Sequence, residues 1–145
     1  MLIKLTPEQI SRNWKQIKFC IAGSLPPLAE YSEAGMLEIH KKLLKDTMQC
    51  WVLLNNKEEI QAVATTVISS DIGTEVHNLL IYSLYAISYK INDDDWSQGL
   101  VHLKEYAEKV GCKKIIAYSN IPRIIDLVLN VLNGRVEYQL ISLGV

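Results

Sequence analysis

At 145 residues, with 49% hydrophobic and 21% charged residues, the chain suits one packed domain, 1–145, and is too apolar for a disordered segment. Fifteen Lys and Arg against sixteen Asp and Glu give a net charge of −1 with no basic concentration, so no nucleic-acid partner is expected. No apolar run approaches the roughly 20 residues that a bilayer span needs, so no membrane partner is expected either.

Residues 1–5 form a short apolar segment and a candidate first strand. Thr6-Pro7-Glu8-Gln9 then reads as a helix start: Thr6 can cap, Pro7 suits the first helical position, and Gln9 completes a capping box. Ile10, Trp14, Ile17 and Ile21 follow at helical spacing, and Gly23 with Pro26-Pro27 ends this first helix. A second helix is expected from about residue 33 to 45, with Met36, Ile39, Leu43 and Leu44 on or near one face.

The middle of the chain reads as strands. Residues 49–54 are apolar, Asn55-Asn56-Lys57-Glu58 is a polar turn, and residues 60–69 are rich in β-branched side chains, which is a hairpin pattern. After a turn at Asp71 and Gly73, residues 77–87 are almost wholly apolar, as in a strand buried on both faces. Asn92-Asp93-Asp94-Asp95 is an acidic loop and helix start. Trp96, Leu100, Leu103, Ala107 and Val110 follow at near-helical spacing, and Gly111 is the stop. Residues 113–118 read as a strand. Asn120 or Ser119 is the expected cap of a last helix, with Pro122 in its first turn and Gly134 at its end. Residues 135–143 read as a closing strand.

The order is therefore β-α-α-β-β-β-α-β-α-β, an α/β chain with a mixed sheet, helices over its faces and at least one parallel pairing. Cys20, Cys50 and Cys112 show neither ligand spacing nor an even count, so no metal site is expected. Reduced thiols and the lack of a signal-peptide pattern fit a cytoplasmic protein.

This element order resembles the GNAT superfamily of acyl-CoA N-acyltransferases over nearly the whole chain. The resemblance implies that residues 77–87 are the fourth strand, residues 88–99 the pyrophosphate loop and residues 100–110 its helix. It places Ser97, Gln98, Gly99 and Leu100 at the cofactor's phosphates. It puts Ala86 and Ile87 where splayed strands hold the pantetheine, and Asn120 where many members have an Asn after the fifth strand. The chain is also similar to small GNAT-like proteins encoded by bacteriophages, through Gln49-Cys50-Trp51-Val52 and through Trp96 before the third helix.

The family's cofactor motif is Q/R-x-x-G-x-G/A, whose glycines let backbone N–H groups approach the diphosphate at a helix N-terminus. Here the matching stretch keeps only Gly99, and Asp93, Asp94 and Asp95 stand where phosphate charge should sit. Two unit charges about 4 Å apart repel by roughly 1 to 4 kcal/mol between water-like and surface-like screening. The aspartates equally suit a helix N-terminus, whose positive end they favour. Trp96 would either fill the space left by a lost cofactor or anchor the helix start on the core.

Many members of the family protonate the departing thiolate with a Tyr in the fourth helix. That stretch here carries Leu127, Val128 and Leu129, which leaves Tyr118 and Tyr138 as candidate acids. Glu75, just before the fourth strand, is the candidate base. His77 is the best placed of the histidines, whereas His40 and His102 are expected near polar helix faces. Only 11 residues follow Gly134, enough for one strand where the family has two, and the edge so exposed invites a protein partner. The expectation is a GNAT-fold protein with a degenerate acetyl-CoA loop and no cofactor. It would be non-catalytic and act through protein contacts, in concrete form a phage accessory or virion-associated component in the host cytoplasm or the virion. The alternative is an acyl-CoA-dependent N-acetyltransferase of unknown amine substrate, with acetyl-CoA as its cofactor.

Overall fold

The computed structural model describes residues Met1–Val145. In chain order it contains β1 (Leu2–Lys4), α1 (Pro7–Arg12), α2 (Trp14–Ala22), α3 (Glu33–Leu44), β2 (Gln49–Leu54), β3 (Ile60–Ser70), β4 (His77–Ala86), α4 (Asp93–Lys109), β5 (Ile115–Ala117) and α5 (Pro122–Asn130). The five strands form one sheet in the order β1-β2-β3-β4-β5. Neighbours are antiparallel except β4 and β5, which run parallel through the α4 crossover. The expected mixed sheet with helices on its faces is thus present, with changes at both ends.

The capping box at Thr6 forms as read. Thr6 Oγ1 accepts from the Gln9 N–H at 3.2 Å, and Gln9 Oε1 accepts from the Thr6 N–H at 2.9 Å. The first helix is not continuous, however. Asn13 leaves helical geometry at φ −112° and turns its Nδ2 onto the Gln9 carbonyl at 2.8 Å, splitting α1 from α2. Ser32 caps α3 by accepting from the Gly35 N–H.

Two layers of helix sandwich the sheet. On one face Ile10, Ile17, Ile21, Met36 and Leu43 of α1–α3 pack on Cys50, Val52 and Val63. On the other, Leu103 and Ala107 of α4 pack on Trp51 and Leu79. Alternation along β2 explains this, because successive side chains point to opposite faces. It also corrects an expectation. The strand covered on both faces is β2, whose first five residues are all buried, whereas β4 buries only Leu79 and Ser83. The cause is its neighbour: β5 has three residues, and α5 contributes no buried side chain to cover β4 from that side.

The expected strand at 135–143 does not form. Glu137 pairs with Lys114 at 3.0 Å, but no residue from 135 to 145 makes a backbone–backbone hydrogen bond.

A buried polar chain locks β2 to β3. Trp51 Nε1 donates to Thr66 Oγ1 at 2.9 Å, the Thr66 hydroxyl donates to Gln49 Oε1 at 2.9 Å, and Gln49 Nε2 donates to the Asp46 carbonyl at 3.0 Å. Thr66→Val keeps the shape and strands two of these buried groups. A loss of about 2 to 4 kcal/mol in urea unfolding is expected, with Thr66→Ser, which retains the hydroxyl, losing less. Equal losses for the two variants would count against the chain as a source of stability.

Candidate functional site

The end of the sheet at which β4 stops and α4 and α5 begin is where the sequence places the chemistry. The parallel ladder between β4 and β5 ends at Ile81 and Ala117, while β4 runs on to Ala86. Thr65 pairs with Ser83 and Thr66 with Ile81, so Tyr82 is an extra residue, a bulge on β4. Beyond it the last residues of β4 have no strand on the β5 side. Ala86 pairs with Ala62 on β3, and the N–H groups of Ile87 and Ser88 both donate to the Gln61 carbonyl at 2.9 and 3.2 Å. The Ile87 amide is therefore already engaged with its own sheet.

The start of α4 differs from the expected loop. The helix begins at Asp93, seven residues before Leu100, with Asn92 as its cap. Asn92 Oδ1 accepts from the Asp95 N–H at 2.7 Å, and the Asn92 carbonyl accepts from the Trp96 N–H at 3.2 Å. Asp93, Asp94 and Asp95 occupy the first turn and none is in an ion pair, so only the helix's positive end offsets their charge. Ser97, Gln98, Gly99 and Leu100 lie inside the helix, where backbone N–H groups are spent on helical bonds. Gly99 is a packing glycine: a Cβ there would stand 3.3 Å from Leu53 Cδ1 and 4.0 Å from Leu2 Cβ. Trp96 packs with Leu53, Ala62 and Ile91, as an anchor of the helix start on the core. The residues present do not fit a bound diphosphate, because the N–H groups free at this helix end are flanked by carboxylates.

The candidate acids are brought together. Tyr118 follows the last laddered residue of β5, with Tyr138 of the tail beside it. The neighbouring Tyr138 hydroxyl, with burial second, holds the Tyr118 hydroxyl above the ordinary tyrosine range. Glu75 is not part of this group. It sits exposed in the turn before β4 with φ 57°, so the length of the strand, about 30 Å, separates it from Ala86. Its neighbour Asp71 accepts from the N–H groups of Thr74 and Gly73 and from the Thr74 hydroxyl, which holds that carboxyl below its usual range. Asn120 is exposed and does not cap α5. The capping position is Ile121, without a side-chain bond, and Ser119 Oγ accepts the Ile121 N–H at 3.1 Å.

His77 is exposed with Nδ1 2.6 Å from Ser70 Oγ, and His102 Nδ1 lies 2.9 Å from the Gln98 carbonyl. His40 is not on a polar face. Its ring stacks on Trp14 with centroids 4.0 Å apart, and its Nε2 is buried without a partner. The thiols offer no nucleophile near this end: burial pushes Cys50 up to about 12 and raises Cys20 and Cys112.

Sequence reading missed Arg123. Its Nη2 donates to the Tyr89 carbonyl at 3.3 Å, and its guanidinium lies 5.9 Å from the Tyr89 ring centroid. It ties the start of α5 to the segment after β4, a pairing across 34 residues that no local pattern announces. A cleft of about 240 Å³ opens beside the bulge, lined by Tyr82, Met36, Ile39 and Tyr31, with Glu30, Glu38 and Lys42 as its charged lining.

No protein-family model and no curated protein sequence matches the chain. Solved structures do. AAC(6')-Iy in complex with a bisubstrate analog, CoA-S-monomethyl-acetylneamine, superposes at a TM-score of 0.72 with 10% identity, over 99% of this chain and 96% of that one. An aminoglycoside acetyltransferase from an uncultured soil metagenomic sample, in complex with sisomicin, gives 0.68 with 12% identity over 100% and 94%. A Trypanosoma brucei acetyltransferase gives 0.62 with 15% identity over 100% and 99%. At these identities the likeness establishes the fold: this chain has the GNAT acetyltransferase fold.

The tyrosine pair yields a titration. The raised value means the fold favours protonated Tyr118, so the stabilisation it brings is full below the unfolded tyrosine pKa and lost as pH rises through the raised folded one. In Tyr138→Phe, Tyr118 is expected to ionise nearer the ordinary tyrosine value, read by NMR of ring-labelled tyrosine against pH. An unmoved Tyr118 titration would show that the pair is not coupled.

Proposed function

We propose that the chain is a GNAT-fold protein that does not transfer acyl groups and acts through contact with another protein. The observation that carries this is the start of α4. The helix end that would receive a diphosphate is closed by the Asn92 cap and carries three unpaired carboxylates. The only glycine left from the family motif is held by Leu53 and Leu2 rather than turned to a ligand. The likeness of Gln49-Cys50-Trp51-Val52 and Trp96 to phage-encoded proteins supports a bacteriophage accessory or virion-associated component as its concrete form, placed in the host cytoplasm or the virion. Three free cysteines, two of them buried, are consistent with assembly in a reducing compartment.

A second reading, an acyl-CoA-dependent N-acetyltransferase, draws on different observations. The parting of β4 and β5 beyond Ile81 leaves room beside the Tyr118–Tyr138 pair. The cleft at Tyr82 has Glu30 and Glu38 against a single cation, Lys42, a net negative lining that suits a cationic amine. The fold is shared with AAC(6')-Iy, which has been seen with a CoA-containing analog.

Thermal unfolding with and without acetyl-CoA separates the readings. A protein that held the cofactor at about 10 µM would gain roughly 2.7 kcal/mol at about 1 mM ligand. For a domain of this size that is a rise of about 5 to 10 °C. We expect no rise at millimolar acetyl-CoA. A rise of that size would overturn the contact-only reading and favour the enzyme.

A further inference from the structure

The hairpin of β3 and β4 is longer than the strand beside it. Pairing of β2 with β3 stops at Gln49–Thr66, while β3 pairs with β4 as far as Ser70–His77. Over residues 67–70, therefore, β3 has a strand on one side only.

The ladder shows which backbone groups this leaves bare. The Asp71 N–H donates to the Val76 carbonyl at 2.9 Å, so Asp71 points its amide at β4. Alternate residues of an antiparallel strand point their N–H and C=O to opposite sides. Ile68 and Ser70 therefore turn theirs away from β4. Their partners agree: His77 and Leu79 face β5, where the Lys113 N–H donates to the His77 carbonyl and the Leu79 N–H to the Lys114 carbonyl, both at 2.8 Å. No backbone bond from the segment before β2 reaches Ile68 or Ser70. Two donors and two acceptors, in line and in strand geometry, are thus left for another chain.

Side chains beside this edge say what kind of chain fits. Ile68 is 39% exposed, and Ile72 at the hairpin tip is fully exposed. Between residues 60 and 89 the only Asp, Glu, Lys or Arg are Asp71 and Glu75, both at that tip and neither in an ion pair. Lys113 and Lys114 lie across β4 on the β5 side, and Lys114 is taken by Glu137. The edge is thus apolar with an acidic end. A second copy would bring the same uncharged edge and the same acidic tip, and so supplies no cation. A foreign segment with a basic residue does.

We propose that the β3 edge over Val67–Ser70 takes up an extended segment of another protein as an added strand, with an aliphatic side chain beside Ile68 and a Lys or Arg against Asp71 and Glu75. This surface lies at the start of β4, whereas α4 begins after its end, so the proposal holds whether or not the chain transfers acyl groups.

NMR titration of the isotope-labelled full chain with the end-blocked peptide Lys-Val-Thr-Val-Thr-Lys, and with its Glu-ended counterpart, tests it. With the Lys-ended peptide, amide shifts at residues 67–72 should saturate below about 1 mM, and exchange of the Ile68 and Ser70 amides should slow. The Glu-ended peptide should bind at least tenfold more weakly. Ile68→Pro removes an outward N–H without touching the β4 ladder, and should weaken binding at least tenfold in a folded chain. Glu75→Gln leaves the backbone groups in place and should weaken the Lys-ended peptide about threefold. Titration of the unmodified chain stands whatever the proline does to folding. No shifts at about 1 mM, shifts only at other residues, equal binding of the two peptides, or undiminished binding by a folded Ile68→Pro chain would each overturn the proposal. So would the same shifts arising from protein concentration alone, the mark of a second copy on this edge.

Discussion

The hydrogen bond from the Asp95 N–H to Asn92 Oδ1 decides where α4 begins, and much else depends on where α4 begins. A helix started at Asp93 sends Trp96, Gly99, Leu103 and Ala107 down one face at spacings of three and four. That face meets Trp51, Leu53 and Leu79. A later start would leave the indole of Trp96 and the apolar surface over Leu53 without cover. The carboxylates of Asp93, Asp94 and Asp95 stabilise this start through the positive end of the helix. Packing and electrostatics therefore choose the same first residue, and together they remove the irregular, glycine-bearing turn that a diphosphate would need.

The molecule is built unevenly around that helix. The half made by α1–α3, β1–β3 and α4 holds almost all the buried side chains, with β2 covered on both sides. The other half has a three-residue strand, a helix with no buried side chain and a tail without backbone bonds. Regions with few buried apolar contacts open most readily, so α5 and the tail belong to the low-stability end of the fold. The Arg123–Tyr89 contact and the Lys114–Glu137 ion pair tie them to the rest. Gly134 belongs to the same economy of space. Its amide donates to the Val128 carbonyl at 2.8 Å, and a Cβ there would collide with Val128 Cγ1.

What the sequence disclosed was the chemistry that acts over a few residues. The Thr6–Gln9 capping box, the Ser32-to-Leu44 helix within a residue of its expected end, and the left-handed Gly111 at φ 81° after α4 were all legible for that reason. The break at Asn13 was hidden because the apolar period Ile10, Trp14, Ile17, Ile21 runs straight through it. The burial of β4 was overstated because an apolar run records what a strand tolerates, and cover depends on neighbours far away in the chain. His40 lay outside reach for the same reason: its position on α3 reads as polar until Trp14 of another helix stacks on it. At the candidate site, Tyr118 and Tyr138 were each visible, but their proximity is tertiary. The alternating tail looked like a strand because its pattern is that of one, and a strand exists only where an edge lies parallel to it.

Gly99 is a residue that both a cofactor loop and packing would explain. A glycine at that position suggests a piece of a cofactor loop, yet its contacts give it a separate reason to be there: a Cβ would stand 3.3 Å from Leu53 Cδ1, so a side chain needs that leucine to give way. The same is true of the parted strands. The bulge at Tyr82 follows from the register of β3 against β4, and the end of the ladder follows from the shortness of β5; neither requires a ligand. Features that a cofactor would exploit are here also accounted for by packing, so they are compatible with either reading. The features that only a cofactor would demand are a glycine-rich approach and a helix end free of negative charge. At those positions the chain has an asparagine cap and three aspartates, which serve the helix itself.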